Sequence, residues 1–488
     1  MAAIHISLRT LRWLGGLLLL TGIGIRINNA LRFRAELGFD AAGNLEYIHH
    51  LQSSWALPSP DSMWSASHPP FFYYTAAGFW RGLRTVGLND WLLPALAVTL
   101  SIVGLLVVVA AVAMVRRIDP GDVLRGVVAG GLILFLPVHI YMSPMVGEEI
   151  LLSFLVSLVL LGAAWRMPEL PGPGETALLG LLCGLAMLTK LSGILVVSAV
   201  GATWLLAAWR SGAWRTALSR CALMGGVALV VGGWFYLYNW QSYGYLYAQD
   251  LPIHQKMFEL PPGVRSISDY MAIPLATWTD PQLLNPDLLR SVWGSTYATI
   301  YFDGHRHFLP NSVAASRLGG VILALALIPT AAFLVGLVRG IGRALAEPGG
   351  RDTLLVAMVG ISMAGYVAFT WGNPWFVTLK GSYLLVLCLP FAVYASEVLA
   401  AWIRGPGLGA RAVVAALLAL VVLVAAGFTL GPIFDKRDRG VRKARQVSVH
   451  QGLEPSERMV SVSLVGSFVG QPFQPASRPE WASRVRRS

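Results

Sequence analysis

Seven stretches of this chain, 92–115, 126–147, 191–209, 221–249, 318–338, 353–379 and 412–434, contain no Asp, Glu, Lys or Arg. Each is near or above the roughly 20 apolar residues that carry a helix across a bilayer. In lipid the backbone must satisfy its own N–H and C=O groups, so such runs are predicted to be helices and not an open sheet. Adding the shorter apolar segments gives eleven predicted spans: 13–25, 92–115, 126–146, 150–165, 176–190, 192–209, 221–240, 318–338, 353–372, 382–403 and 410–432. Segments 150–165 and 176–190 fall short of the usual length, and either extend into their flanks or sit partly inside the bundle. The expected fold class is an all-α polytopic membrane protein, with a membrane domain over 1–432 and a polar tail over 433–488.

Two connections are long. With the N-terminus inside, 26–91 and 241–317 fall on the same side. Arginines gather at the other ends: Arg9 and Arg12, then Arg116, Arg117 and Arg125, then Arg210, Arg215 and Arg220, then Arg339, Arg343 and Arg351. The positive-inside rule places those ends in the cytoplasm and both long loops outside a cell membrane. Trp55, Trp64, Trp80 and Trp91 in the first loop, and Trp240, Tyr243, Tyr245, Tyr247, Trp278 and Trp293 around the second, suit an interfacial belt. They also suit amphipathic helices lying on the membrane around a substrate groove.

Composition narrows this further. Of 488 residues, 55% are hydrophobic and 13% charged, against about 25% charged in soluble proteins. The net charge of +12 is accounted for by basic cytoplasmic loops, and no nucleic-acid signature accompanies it. Cys183, Cys221 and Cys388 lie in or beside apolar runs, so no disulfide framework is implied. No Ala-x-Ala-like site follows the first apolar segment, which reads as an uncleaved span. The tail from 431 holds 11 Lys or Arg and 5 Asp or Glu. Eleven spans would put it outside, against the positive-inside rule, unless one segment is not a full span or the tail binds an anionic surface.

Against this apolar background a few ionisable residues stand out. Asp40 follows the first span in Gly38-Phe39-Asp40-Ala41-Ala42-Gly43-Asn44-Leu45-Glu46. It is either a helix N-cap or a carboxylate at the membrane boundary able to act as general base. His68-Pro69-Pro70-Phe71-Phe72-Tyr73-Tyr74 closes the first loop. The prolines hold His68 extended, as a structural histidine or as a donor to a phosphate oxygen. Glu148-Glu149 occupy a short connection between apolar segments. They read as a helix N-terminus or as a second acidic site, in which each carboxylate raises the other's pKa.

Lys190 and Lys380 are lone cations at predicted outer ends of spans. They either snorkel to the interface or neutralise a departing phosphate, as do Arg26, Arg32 and Arg34 in the first loop. His305-Arg306-His307 lacks the partners of a zinc site, so no metal site is assigned. Asp40 with Glu148 or Glu149 offers oxygen ligands to a divalent cation, though no spacing demands one. The chain carries no Gly-Lys-Thr/Ser phosphate loop, which argues against an ATP-driven pump.

Taken in order, Asp40, His68-Pro69-Pro70, Glu148-Glu149, Leu188-Thr189-Lys190 and Lys380-Gly381-Ser382-Tyr383-Leu384-Leu385 resemble the GT-C superfamily of polyprenyl-phosphate-sugar glycosyltransferases. That superfamily includes the protein O-mannosyltransferases and the lipid A aminoarabinose transferase. The resemblance covers about residues 10–405. It implies a GT-C bundle and an inverting sugar transfer from a polyprenyl-phosphate donor to a hydroxyl on a lipid, glycan or protein at the extracytoplasmic face. It also implies that Asp40 activates the acceptor, and that His68, Lys380 and Lys190 meet the donor phosphate. Some members carry Lys where His68 stands, and Asn-Glu or Asp-Glu where Glu148-Glu149 stand. The competing readings are a lipid or sugar flippase, which would need polar residues along a transbilayer path, and a cell-envelope polysaccharide polymerase.

Overall fold

The computed structural model describes residues 7–248 and 251–449. Its helices run α1 (Leu8–Arg32), α2 (Ala41–Ser54), α3 (Phe71–Thr85), α4 (Leu92–Ile118), α5 (Val123–Leu134), α6 (Pro137–Met142), α7 (Glu149–Arg166), α8 (Pro173–Thr189), α9 (Ile194–Ser211), α10 (Trp214–Ala228) and α11 (Trp234–Tyr243). Short helices α12 (Gln255–Phe258), α13 (Ile267–Met271), α14 (Ala276–Thr279), α15 (Pro286–Arg290) and α16 (Val292–Ile300) follow in the second long loop. Then come α17 (Val313–Ala346), α18 (Arg351–Gly372), α19 (Cys388–Arg404) and α20 (Gly407–Val449). Among the described residues no strand forms, apart from one isolated bridge between Pro262 and Trp375. The chain divides into two units, Met1–Lys436 and Arg437–Ser488. The tail's basic clusters at 436–439 and 442–445 lie beyond the described side chains, and 450–488 lie outside the described residues.

Among the described residues, nine helical segments are long and apolar enough to cross a membrane. Two of the eleven predicted spans correspond to shorter apolar helices, Val123–Leu134 and Pro173–Thr189. The predicted span 126–146 is not one helix. Leu136 adopts an extended conformation (ψ 114°) before Pro137, and α6 restarts there. Proline disfavours the helical conformation in the residue before it and cannot donate to the ladder. Conversely, the predicted span 221–240 is longer than expected, because a π-helical turn, Leu229–Gly233, joins α10 to α11.

Both ends of the bundle are polar, in different ways. At one end Arg343 pairs with Asp352 at 2.9 Å and with Glu397 at 3.0 Å, and Arg125 reaches Glu397 at 3.7 Å. Arg404 pairs with Asp122 nearby. At the other end, the Asn28 amide in the last turns of α1 donates to the Thr429 carbonyl at 3.1 Å. Thr429 of α20 therefore lies beside the end of α1 that leads to Asp40.

The first long loop folds back on this end as two amphipathic helices. In α3, Phe72, Tyr73, Ala76, Ala77 and Trp80 are buried, a spacing that makes one apolar stripe. Trp80 also donates its indole N–H to the Leu92 carbonyl at 2.9 Å. In α2 the buried stripe runs through Asn44, Tyr47, Ile48 and Leu51. Tyr47 stacks on Tyr73 with ring centroids 4.2 Å apart, fixing α2 against α3.

Candidate active site

Asp40 occupies the N-cap position of α2, yet its side chain makes no capping hydrogen bond. Its backbone is left-handed, with φ 57° and ψ 12°, a conformation that costs a non-glycine residue about 1–2 kcal/mol. The capping reading therefore fails. The carboxylate turns away from α2 and accepts from Lys380 Nζ at 2.8 Å. Glu46, six residues on, is exposed and takes no part.

Lys380 is set by the turn that precedes α19. The Gly381 N–H donates to Thr299 Oγ1 at 2.8 Å. A Cβ on Gly381 would come within 2.7 Å of the Ile300 backbone nitrogen, so only glycine allows this approach. The Lys380 ammonium lies 4.9 Å from the Phe39 ring centre and 5.9 Å from that of Tyr383, within cation–π range.

The second acidic site assembles on the same side. Glu148 and Glu149 stand at the start of α7, and Lys190 extends from the end of α8. The Lys190 ammonium donates to Glu148 Oε1 at 2.8 Å and to Glu149 Oε1 at 3.1 Å. It also lies 4.9 Å from the centre of the Tyr383 ring, so Tyr383 is within reach of both lysines. Both glutamates are buried. Burial pushes the Glu148 carboxyl up, but Lys190 and then His68 more than offset this and hold it below the usual range. Lys190 and Lys380 are therefore not the lone cations expected from sequence, since each already serves a carboxylate.

His68 has the extended backbone expected before Pro69 (φ −73°, ψ 142°), and its protonation follows from a chain of hydrogen bonds. Asn44 Nδ2 donates to the Val146 carbonyl at 2.8 Å. That leaves Asn44 Oδ1 to accept from the Tyr73 hydroxyl at 2.8 Å. Tyr73 has one proton, so its oxygen accepts from His68 Nδ1 at 2.9 Å. Tyr73 also stands 3.4 Å from Glu148 Oε2. His68 thus carries hydrogen on Nδ1, and Nε2 of the neutral ring is an acceptor. Burial lowers the His68 pKa below its usual value against the pull of Glu148. The phosphate-donor role expected of His68 requires the ring to take a proton first.

Burial alone would raise the Asp40 carboxyl. Lys380, then His68 and Lys190, reverse that and bring it to about 2. Three carboxylates and two ammonium groups from separate parts of the chain therefore form one cluster of linked charges. Five elements supply it: the turn before α2, the His68 turn, the start of α7, the end of α8 and the turn before α19.

Among the described residues no group of three His, Cys, Asp or Glu is placed to hold a metal ion. The ammonium groups of Lys190 and Lys380 stand where a cation between these carboxylates would have to sit. The donor set is poorly matched to a divalent ion unless both lysines move.

Of the first-loop arginines, Arg26 does not join the cluster. Helix α1 extends past the predicted end at 25, and Arg26 is buried against Gly22 O, Leu134 O (both 3.1 Å) and His139 Nδ1 (2.8 Å). Arg32 and Arg34 are exposed. Asn44, Tyr73 and Tyr383 each lie inside one of the sequence motifs without standing out in it. Asn44 stands one helical turn after Asp40, a spacing that marks a neighbour on the same face.

No protein-family model matches the sequence, and no curated protein matches it. Among solved structures, the chain is similar to ArnT from Cupriavidus metallidurans bound to undecaprenyl phosphate. Identity is 19%, coverage 90% of this chain and 81% of that one, and the TM-score 0.40. It is also similar to the Archaeoglobus fulgidus oligosaccharyltransferase in its apo form, at 13% identity over 86% of this chain and 56% of that one, with TM-score 0.42. The archaeal oligosaccharyltransferase AglB from Archaeoglobus fulgidus, in complex with an inhibitory peptide and a dolichol-phosphate, matches at 14% identity over 87% of this chain and 56% of that one, with TM-score 0.43. The chain thus spans just over half the length of the oligosaccharyltransferase.

Proposed function

We propose that this chain is a membrane glycosyltransferase that moves a sugar from a polyprenyl-phosphate donor to an acceptor hydroxyl at the extracytoplasmic face. The carrier is of the class bound in the ArnT structure. What supports the reading in this chain is the convergence of Asp40, Lys380, Glu148, Glu149, Lys190 and His68 into one cluster. Its members flank membrane-crossing helices at the end opposite the arginine-rich pairs around Arg343.

In this reading the acceptor oxygen forms a bond to the anomeric carbon from the face opposite the phosphate. The bond from that carbon to the phosphate oxygen breaks, and its electron pair leaves with the polyprenyl phosphate. The hydroxyl proton passes to Asp40, and the anomeric configuration inverts. A carboxylate paired at 2.8 Å with an ammonium is a weak base, so donor binding has a second task. The incoming phosphate competes for Lys380, and as Lys380 turns to it, Asp40 regains basicity. The cation then meets the charge that develops on the leaving group. Lys190 stays with its two glutamates and supports the donor side of the site.

The test is transfer by the purified protein in liposomes with labelled polyprenyl-phosphate sugars and a hydroxyl-bearing acceptor fraction. Wild type should form labelled product, and Asp40→Asn should lose ~10²–10⁴-fold in rate while still inserting and folding. Transfer by Asp40→Asn near the wild-type rate rules Asp40 out as base. Flipping of the labelled lipid without transfer favours the transporter reading.

A further inference from the structure

The turn between α16 and α17 carries two histidines, His305 and His307, that no step above uses. Each reaches a different segment of the site. His305 Nε2 lies 3.2 Å from the carbonyl oxygen of Leu379, the residue before Lys380. His307 Nδ1 lies 3.2 Å from the carbonyl oxygen of Leu37, three residues before Asp40. A carbonyl only accepts, so each ring donates through the named nitrogen. Both rings also enclose Phe39, the residue before Asp40. His305 meets it edge-on with centroids 5.1 Å apart, and His307 lies at 4.4 Å.

The turn is itself held firmly. The buried Asp303 carboxylate accepts from the backbone N–H groups of Phe308 and Leu309 at 2.7 Å each, and of His307 at 3.3 Å. Arg306, left-handed at φ 58°, donates to Ser316 Oγ at 2.7 Å. Burial holds both histidines below their ordinary value. His307 and Lys380 add to this for His305, and Lys380 adds to it for His307 against the opposing Asp303. The two rings are thus neutral and bring no net charge beside the Asp40–Lys380 pair. A left-handed aspartate persists only where its surroundings over-determine it, and α2 supplies no cap to do so.

We infer that His305 and His307 are positioning residues, donating to Leu379 and Leu37 so that Lys380 and Asp40 are held opposite each other across the site. The consequence for transfer rests on Asp40 being the base.

Two double variants test this. His305→Gln with His307→Asn places an amide nitrogen near each original donor, at Nε2 and at Nδ1. The exchanged pair, His305→Asn with His307→Gln, carries the same two side chains in the wrong register. Two quantities are read. One is kcat and donor KM for transfer. The other is titration of the Asp40 carboxyl by isotope-edited difference infrared spectroscopy, which sees how closely Lys380, and beyond it His68 and Lys190, face that group.

The matched pair should stay within about threefold of wild type, whereas misplacement in the exchanged pair should lower kcat ~10–100-fold with donor KM within about twofold. In the exchanged pair the Asp40 titration should also rise from about 2 toward the ordinary carboxylate range, as expected when a cation recedes. Wild-type kcat together with an unmoved Asp40 titration in the exchanged pair overturns the inference. Should that pair not fold, His305→Asn against His305→Gln carries the same comparison and the same two outcomes. If wild type itself transfers no sugar, the functional reading fails alone. The infrared titration then decides the positioning role: a rise supports it and no change refutes it.

Discussion

Lys380 and Asp40 lie 340 positions apart in sequence and 2.8 Å apart in space. The chain leaves α1, makes a left-handed turn, and presents its carboxylate to an ammonium carried on the turn before α19. The pair joins the end of the first membrane-crossing segment to the segment that ends at Arg404. Its geometry therefore depends on the packing of the whole bundle.

Lys380→Met should uncouple Asp40 from its cation and make the protein less stable in a pH-dependent way. The folded Asp40 carboxyl lies at about 2, below its ordinary 3.8. A lowered carboxyl contributes stability that is complete above the ordinary value and is lost as pH falls through the folded one. At neutral pH the lost contribution is on the order of 1–2 kcal/mol, allowing for the part of the Asp40 side chain that water still reaches. Thermal unfolding in nanodiscs should show a gap between wild type and variant that is widest near pH 7 and narrows from pH 5 toward pH 2. A gap of constant width would mean that the pair contributes nothing through Asp40's ionisation.

Lys190 should prove more critical to stability than either acid it serves. It donates to Glu148 at 2.8 Å and Glu149 at 3.1 Å, and both acids are buried. Lys190→Met leaves two carboxylates facing each other with no cation, and breaking a buried pair in this way costs about 3–5 kcal/mol. Glu148→Gln keeps a hydrogen-bond acceptor and leaves one full ion pair, so it should cost much less. The double variant should be more stable than Lys190→Met alone, because removing one charge relieves the repulsion. A double-mutant cycle by denaturant unfolding measures this coupling, expected at about 1–3 kcal/mol. Strict additivity would show that the three groups do not act together.

Much of this arrangement is legible in the sequence, for a physical reason. Ionisable groups are costly near lipid, so the few that interrupt apolar runs, Asp40, Glu148, Glu149, Lys190 and Lys380, stand out without any structure. What the linear pattern cannot carry is pairing. Each lysine reads as a free cation because its carboxylate is 340 residues away for Lys380 and about 40 for Lys190. Boundaries fail for a local reason. Arg26 reads as a loop residue because the apolar stretch stops at 25, whereas α1 continues to Arg32 and buries it. Pro137 was visible, but the uncharged run across it hid the break between α5 and α6. His305 and His307 gave only a metal-like spacing, since their partners are main-chain carbonyls that no side-chain motif encodes.

The His68 tautomer leads to the last prediction. With Tyr73 receiving hydrogen from Nδ1 and burial holding the ring below the usual histidine value of 6.5, the folded protein keeps His68 neutral where the unfolded chain already binds a proton. Stability should therefore be complete above about pH 6.5 and should fall as pH drops below it, with a slope of up to about 1.4 kcal/mol per pH unit until the folded ring also charges. His68→Asn sets an amide nitrogen near the Nδ1 position, keeps a donor for Tyr73 and cannot titrate. Its unfolding free energy should lack His68's share of that acid slope. His68→Phe also lacks the slope but leaves the Tyr73 oxygen without its donor, at a further cost of about 1 kcal/mol. Unfolding of the three proteins between pH 4.5 and 7.5 gives the comparison. If wild type and His68→Asn run parallel across that window, His68 is not held neutral by the fold, and Nε2 carries a proton where burial should leave it an acceptor.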